Sequence, residues 1–191
     1  MAEKLSPERT ALLVMDFQTL IVENFATDAV GLVERTTRLI DKARARGVTV
    51  IYVVVGFRPG HPEISPRNLI FRGVKQASLF AAGDPAAAIH PALAPKKDEI
   101  VVTKHRVGAF AGTDLDMILR ANDIDTLLLT GITTSGVVLS TLRHAADADY
   151  RLMVVQDCCS DKDESAHRVL MQNVFPPQAA IVTAADILGA L

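Results

Sequence analysis

Two hydrophobic rhythms alternate along the chain. Short apolar runs of strand length are separated by stretches in which apolar residues recur every three or four positions, the repeat of a half-buried helix. Residues 10–16, TALLVMD, form the first run and end on a carboxylate; residues 48–55, VTVIYVVV, are mostly β-branched and make the clearest strand. Further runs at 99–103, 126–130, 151–156 and 180–182 predict four more strands. Residues 17–27 read as loop. A helix is predicted from about Asp28, with Val30, Val33, Thr37, Ile40 and Ala43 on one face and Gly47 as its stop. Residues 56–76 read as a long irregular segment, followed by a short helix over 77–82. The spacing of Thr113 and Asp116 predicts a capped helix carrying Leu115, Ile118 and Leu119. After residue 134 the apolar spacing becomes helical through Val138, Thr141, Leu142 and Ala145. Residues 161–164 cap another helix, which Pro176 and Pro177 must end, and residues 183–186 cap the last one.

Strand and helix in alternation predict an α/β fold: one domain over residues 1–191, a mainly parallel sheet between two helical layers. Ligands of such sheets bind beyond the carboxyl ends of the strands. Asp16, Lys104, the turn at Gly131 and Asp157 all fall there. Either these are ordinary turn and capping groups, or they converge on a site. Asp16 and Lys104 sharpen the second alternative, because an ammonium near a buried carboxyl makes a tunable acid or base.

Composition narrows the partners. Hydrophobic residues make up 49% of the chain and the net charge is only −2, which predicts neither a nucleic-acid nor a membrane partner. No apolar run reaches the roughly 20 residues of a membrane span, and the opening MAEKLSPERT lacks a signal-peptide core. Cys158 and Cys159 are adjacent, without metal spacing, and read as small buried residues of a protein kept in the reducing cytoplasm.

LLVMDFQ around Asp16, VVTKHRVGAF around Lys104, and LTGITTSGVVLST after the fourth strand together resemble the isochorismatase-like hydrolases, or cysteine hydrolase superfamily. The resemblance runs from about residue 10 to the C-terminus. It implies a three-layer α/β/α sandwich, a small-molecule substrate and a homo-oligomer, dimer or tetramer, with residues 56–76 near the interface. Amidohydrolases of that family use an Asp, a Lys and a Cys, with backbone amides after the fourth strand as an oxyanion hole and a cis peptide, here Ile132–Thr133, before it. By that resemblance Asp16 and Lys104 are catalytic, Thr133 and Val137 lie at the oxyanion turn, and Val137 occupies the nucleophile position. Valine has no nucleophilic atom, so the thiolate route is closed.

Isochorismatases proper also lack that cysteine and protonate a vinyl ether through the Asp. The expectation is therefore acid-promoted hydrolysis of a small anionic metabolite by a protonated Asp16, with no cofactor. A silent binding homologue, or a hydrolase using Thr134, Ser135 or a cysteine, is the alternative; no histidine is positioned by sequence to activate either hydroxyl. Phe17, Arg58, Arg106, Phe110, Thr134 and Ser135 are the candidate substrate contacts, with Arg67, Arg72 and Lys75 further bases on the long segment. His61 reads as a solvent-exposed loop residue too isolated to hold a metal, and none is predicted. His167 reads as structural.

Overall fold

The computed structural model describes residues 5–190; residues 1–4 and 191, including the start of MAEKLSPERT, lie outside it. Six strands, β1 (Thr10–Met15), β2 (Thr49–Val55), β3 (Ile100–Lys104), β4 (Thr126–Ile132), β5 (Arg151–Ser160) and β6 (Ala180–Val182), pair in parallel in the order β3-β2-β1-β4-β5-β6. Because side chains alternate across a strand, β1 feeds two apolar layers. Leu12 and Val14 pack with Leu39 and Ile40 of α2 (Ala29–Ala45) and Ile187 of α7 (Ala184–Ala190). Leu13 and Met15 pack with Leu115 and Leu119 of α4 (Leu115–Ala121) and Leu142 of α5 (Leu139–Asp147). The predicted three-layer sandwich is the observed fold. No helix of the described residues is long and apolar enough to cross a membrane.

Several local expectations are corrected. Residues 17–27 contain α1 (Thr19–Phe25), a two-turn helix with no side-chain cap that buries only Ile21 and Val22. Ahead of it, the buried Gln18 donates to Val55 O (2.9 Å) and accepts from Val55 N (2.8 Å), satisfying a strand end as another strand would. The long segment ends in α3 (Leu69–Gln76), and 77–82 is a turn with Ser78 and Phe80 at φ 53° and 57°. α3 is only eight residues long and buries Phe71 alone; its start is set by Asn68 Oδ1, which accepts from Phe71 N (3.2 Å). On α2 Val33, Ile40 and Ala43 of the expected face are buried, but Val30 is 73% exposed and the buried face also takes in Leu32, Thr36 and Leu39.

β5 runs on to Ser160, past a register shift against β4. Asp157 therefore stays within the strand, and its Oδ1 accepts from Ala184 N (2.7 Å), holding the start of α7 rather than the turn at Gly131. The cap of α6 (Glu164–Val169) is Asp163, which accepts from Ser165 N and Ala166 N, so Asp161 is freed for another task. The capping expected over 183–186 forms, with Thr183 and Asp186 each accepting from the other's backbone N–H.

Leu128 lies on the central β4 with no exposed surface. Leu128→Ala is expected to lower unfolding stability by about 2–5 kcal/mol through lost burial and the cavity left behind. Urea unfolding with an unchanged slope checks this.

Candidate active site

The strand order reverses direction between β1 and β4, the point at which parallel sheets open a crevice. Asp16 follows β1 with φ 59°, a left-handed conformation that Asp tolerates better than most residues, and takes the chain out of the sheet there. Its N–H is retained by Val53 O at 2.8 Å. Lys104 is the last residue of β3, two strands away, and its side chain reaches back across the strand ends. Nζ lies 2.9 Å from Asp16 Oδ2 and donates to Arg106 O at 3.1 Å.

Both side chains are almost completely buried, Asp16 at 8% and Lys104 at 3% exposed. Burial pushes the Asp16 carboxyl above the ordinary aspartate range; the Lys104 ammonium opposes that shift without cancelling it. Asp16 Oδ1 makes no hydrogen bond within the protein. A buried carboxyl oxygen left in this state is costly unless something else meets it.

The second wall is the turn after β4. Gly131 has to be glycine: a Cβ would sit 2.9 Å from Met15 O and 3.3 Å from Val137 Cγ1. The Ile132–Thr133 peptide is cis, as the resemblance implies. Residues 134–138 then wind as one wide turn, with Val138 N donating to Thr133 O five residues back. Asp161, at the end of β5, clamps this turn: its Oδ2 accepts from Ser135 N (2.7 Å) and Ser135 Oγ (2.6 Å). Thr134 Oγ1 lies 2.8 Å from His167 Nδ1 of α6. Burial holds the His167 imidazole below its ordinary pKa, against the raising influence of Asp161 and Glu164.

Between the carboxyl of Asp16 and this turn lies a cavity of about 230 Å³. Lys104, Thr133 and Val137 complete that part of its wall, and α1 and α3 close it with Phe25, Ile70 and Phe71. A more open cleft of about 800 Å³ adjoins it through Phe25 and Thr133, lined by Ser135, Asp161 and Arg168.

A family model described as the isochorismatase domain matches residues 10–186. The chain belongs to the isochorismatase family of hydrolases. It is 33% identical over 198 residues to YecD, an uncharacterized isochorismatase family protein of Escherichia coli O157:H7, across 98% of this chain and 99% of that one. It is 28% identical over 187 residues to the maleamate amidohydrolase of Pseudomonas putida, across 96% of this chain and 87% of that protein. An isochorismatase family protein from Burkholderia thailandensis has a structure similar to this one, with a TM-score of 0.84, 33% identity, and coverage of 98% and 97% of the two chains.

The other residues singled out from the sequence do not gather around Asp16 and Lys104. Phe17 is buried in the core beside α2, and Phe110 stacks on His144 at 4.4 Å in the opposite layer. Thr134 is fully buried against His167, so a histidine does stand beside a turn hydroxyl, contrary to the sequence reading, but away from the cavity. Ser135 opens on the outer cleft. Arg58 pairs with Glu63 at 2.6 Å, and the Arg106 guanidinium folds onto His105 O. His61 is buried, not exposed: its positive φ turns the ring inward, where Nε2 meets Leu79 O at 2.7 Å. Among the described residues, no three His, Cys, Asp or Glu side chains cluster as metal ligands.

Reasoning from sequence missed Asp161, because Asp161 and Asp163 are equally plausible caps in DKDE and only the path of β5 separates them. It also missed Val107 and the apolar residues of α1 and α3 in the cavity wall. The cysteines point to opposite layers, and burial raises the Cys158 thiol to about 12 and Cys159 higher still. Neither is expected to react with a thiol reagent at pH 8 until the protein unfolds, which a colorimetric thiol titration reads directly.

Lys104→Met removes the influence that lowers the Asp16 pKa, so the carboxyl should titrate at still higher pH than in the wild type, as read by carbon NMR of labelled aspartate. The folded state holds this proton more tightly than the unfolded chain, so its contribution is complete at low pH and is lost as pH rises through the folded pKa. The Met variant should therefore lose stability over a pH range extending further upward.

Proposed function

We propose that the cavity is the active site and that Asp16 hydrolyses a small molecule as a general acid, without a covalent protein intermediate. One observation carries this reading: a buried carboxyl, its pKa raised by burial and its charge faced by Lys104, has an oxygen with no protein partner in the wall of a small cavity. The protonated carboxyl gives its proton to the substrate, at carbon for a vinyl ether or at the leaving heteroatom otherwise. Water adds to the resulting electron-poor carbon and gives its surplus proton to the Asp16 carboxylate, which regenerates the acid. The tetrahedral adduct then breaks its bond to the leaving heteroatom and releases the carbonyl product with the alcohol or amine; for a vinyl ether the hydroxyl proton of the adduct passes to the departing oxygen. During the interval Lys104 stabilises the carboxylate, with Nζ 2.9 Å from Oδ2.

Val137, by resemblance at the nucleophile position, is buried in the cavity wall. Thr134 and Ser135 are committed to His167 and Asp161, and both cysteines are buried with raised pKa values. These placements support water as the attacking group over a protein nucleophile. They also support an enzyme over a silent scaffold, since neither Phe17 nor Phe110 fills the cavity. The amidohydrolase named among the relatives makes small amides the second substrate class to test.

Turnover by the purified protein on a panel of small enol ethers and amides tests the reading. Asp16→Asn should lower kcat/KM at least ~100-fold, the scale of a proton-transfer residue. Because the acid form is the active one, wild-type kcat/KM should fall as pH rises through a value above the ordinary carboxylate range. Full turnover by the Asn variant would remove Asp16 from the mechanism.

We infer in addition a cytoplasmic homo-oligomer that covers the outer face of α3, where Leu69 and Ile70 are 74% and 65% exposed. Sedimentation at micromolar concentration should show a dimer or tetramer, with Leu69→Glu shifting it toward monomer.

A further inference from the structure

We propose that the cavity selects an uncharged, compact molecule with an apolar body and a single polar reacting group, and that it rejects carboxylates. This rests on the cavity being the active site and specifies the substrate class it takes. The carboxylate-binding role expected of the basic residues finds no support in where they sit. Among the described residues Lys104 is the one base in the wall, and its ammonium is already held by Asp16 Oδ2 and Arg106 O. Arg58 is engaged by Glu63, Lys75 donates to His61 O, and Arg67 and Arg72 are solvent-exposed.

Apart from Asp16, Lys104 and the uncharged Thr133 and Gly136 of the turn, the rest of the wall is apolar. Ile21 and Phe25 come from α1, Ile70, Phe71 and Val74 from α3, and Val55, Phe80, Val107 and Ile132 surround the strand ends. A carboxylate entering here would lose its water without gaining a free cation, and the Asp16 carboxyl would face it as a second acidic group. An ammonium would face Lys104 in the same way. A neutral ligand escapes both costs. Its reacting group can meet the unpartnered Oδ1 of Asp16, accepting from the acid or donating to the carboxylate, while its body replaces water against the apolar wall. The volume of about 230 Å³ limits that ligand to a small molecule.

The test uses three probes of one shape that cannot be hydrolysed: acetophenone, benzoate and benzylammonium. They are titrated into the wild-type protein with methyl-labelled isoleucine and valine, and binding is read at Ile21, Ile70, Ile132 and Val137. Acetophenone should shift these methyls with an affinity at least about tenfold above either charged probe. Phe25→Arg places a guanidinium at the cavity mouth, on an already partly exposed residue at the end of α1, and should reverse the order in favour of benzoate. Wild-type protein binding benzoate at these methyls as tightly as acetophenone overturns the proposal, as does a failure of all three probes to shift them. Acetophenone binding here in a protein inactive on the whole panel would keep the charge selection and overturn the catalytic reading instead.

Discussion

The buried ion pair of Asp16 and Lys104 constrains everything around it. Two charges at the ends of strands β1 and β3 are removed from water almost completely, a position whose desolvation cost is comparable to the attraction between them. Such a pair is weak ground for stability and strong ground for function. The sheet carries the cost. β1 is covered on both faces by apolar side chains, so Asp16 is pinned by a frame with no room to relax toward solvent. Between them, burial and Lys104 leave a carboxyl that holds its proton more tightly than a free aspartate, beside a cation ready to accept its charge.

The turn after β4 depends on the same frame. Gly131 is opposite Met15 in the β1–β4 ladder, close enough that a side chain would collide with the β1 backbone, so turn and acid are brought together by strand pairing. Asp161 then locks Ser135 from β5, and His167 locks Thr134 from α6. The two hydroxyls most like nucleophiles thus hold the turn in place, and the cavity retains Val137 where the family resemblance places a thiol.

Much of this was legible in the chain itself. Five of the six strands lie within a few residues of their apolar runs, because a doubly covered parallel strand must be hydrophobic on both faces and leaves a continuous signal. Asp16, Lys104 and the Gly131 turn were legible as groups at strand ends, and the order of strand and helix was enough to put those ends on one side of a sheet. The helices α1 and α3 were not legible: each is only about two turns long and buries one or two residues, so its few apolar positions do not stand out from loop.

Local sequence therefore determined the strands, the helices with long buried faces, and the charged residues Asp16 and Lys104 at the strand ends. Tertiary structure alone decided which polar groups meet. The 2.9 Å contact of Lys104 with Asp16 spans two strands, Asp161 rather than Asp157 reaches the turn because β5 runs four residues beyond the run read at 151–156, and the basic residues of the long loop end outside the cavity. Each of these is a contact between segments far apart in the chain, set by strand order and register. Composition records that arginines and apolar side chains are present; only the packed sheet determines which of them line the cavity.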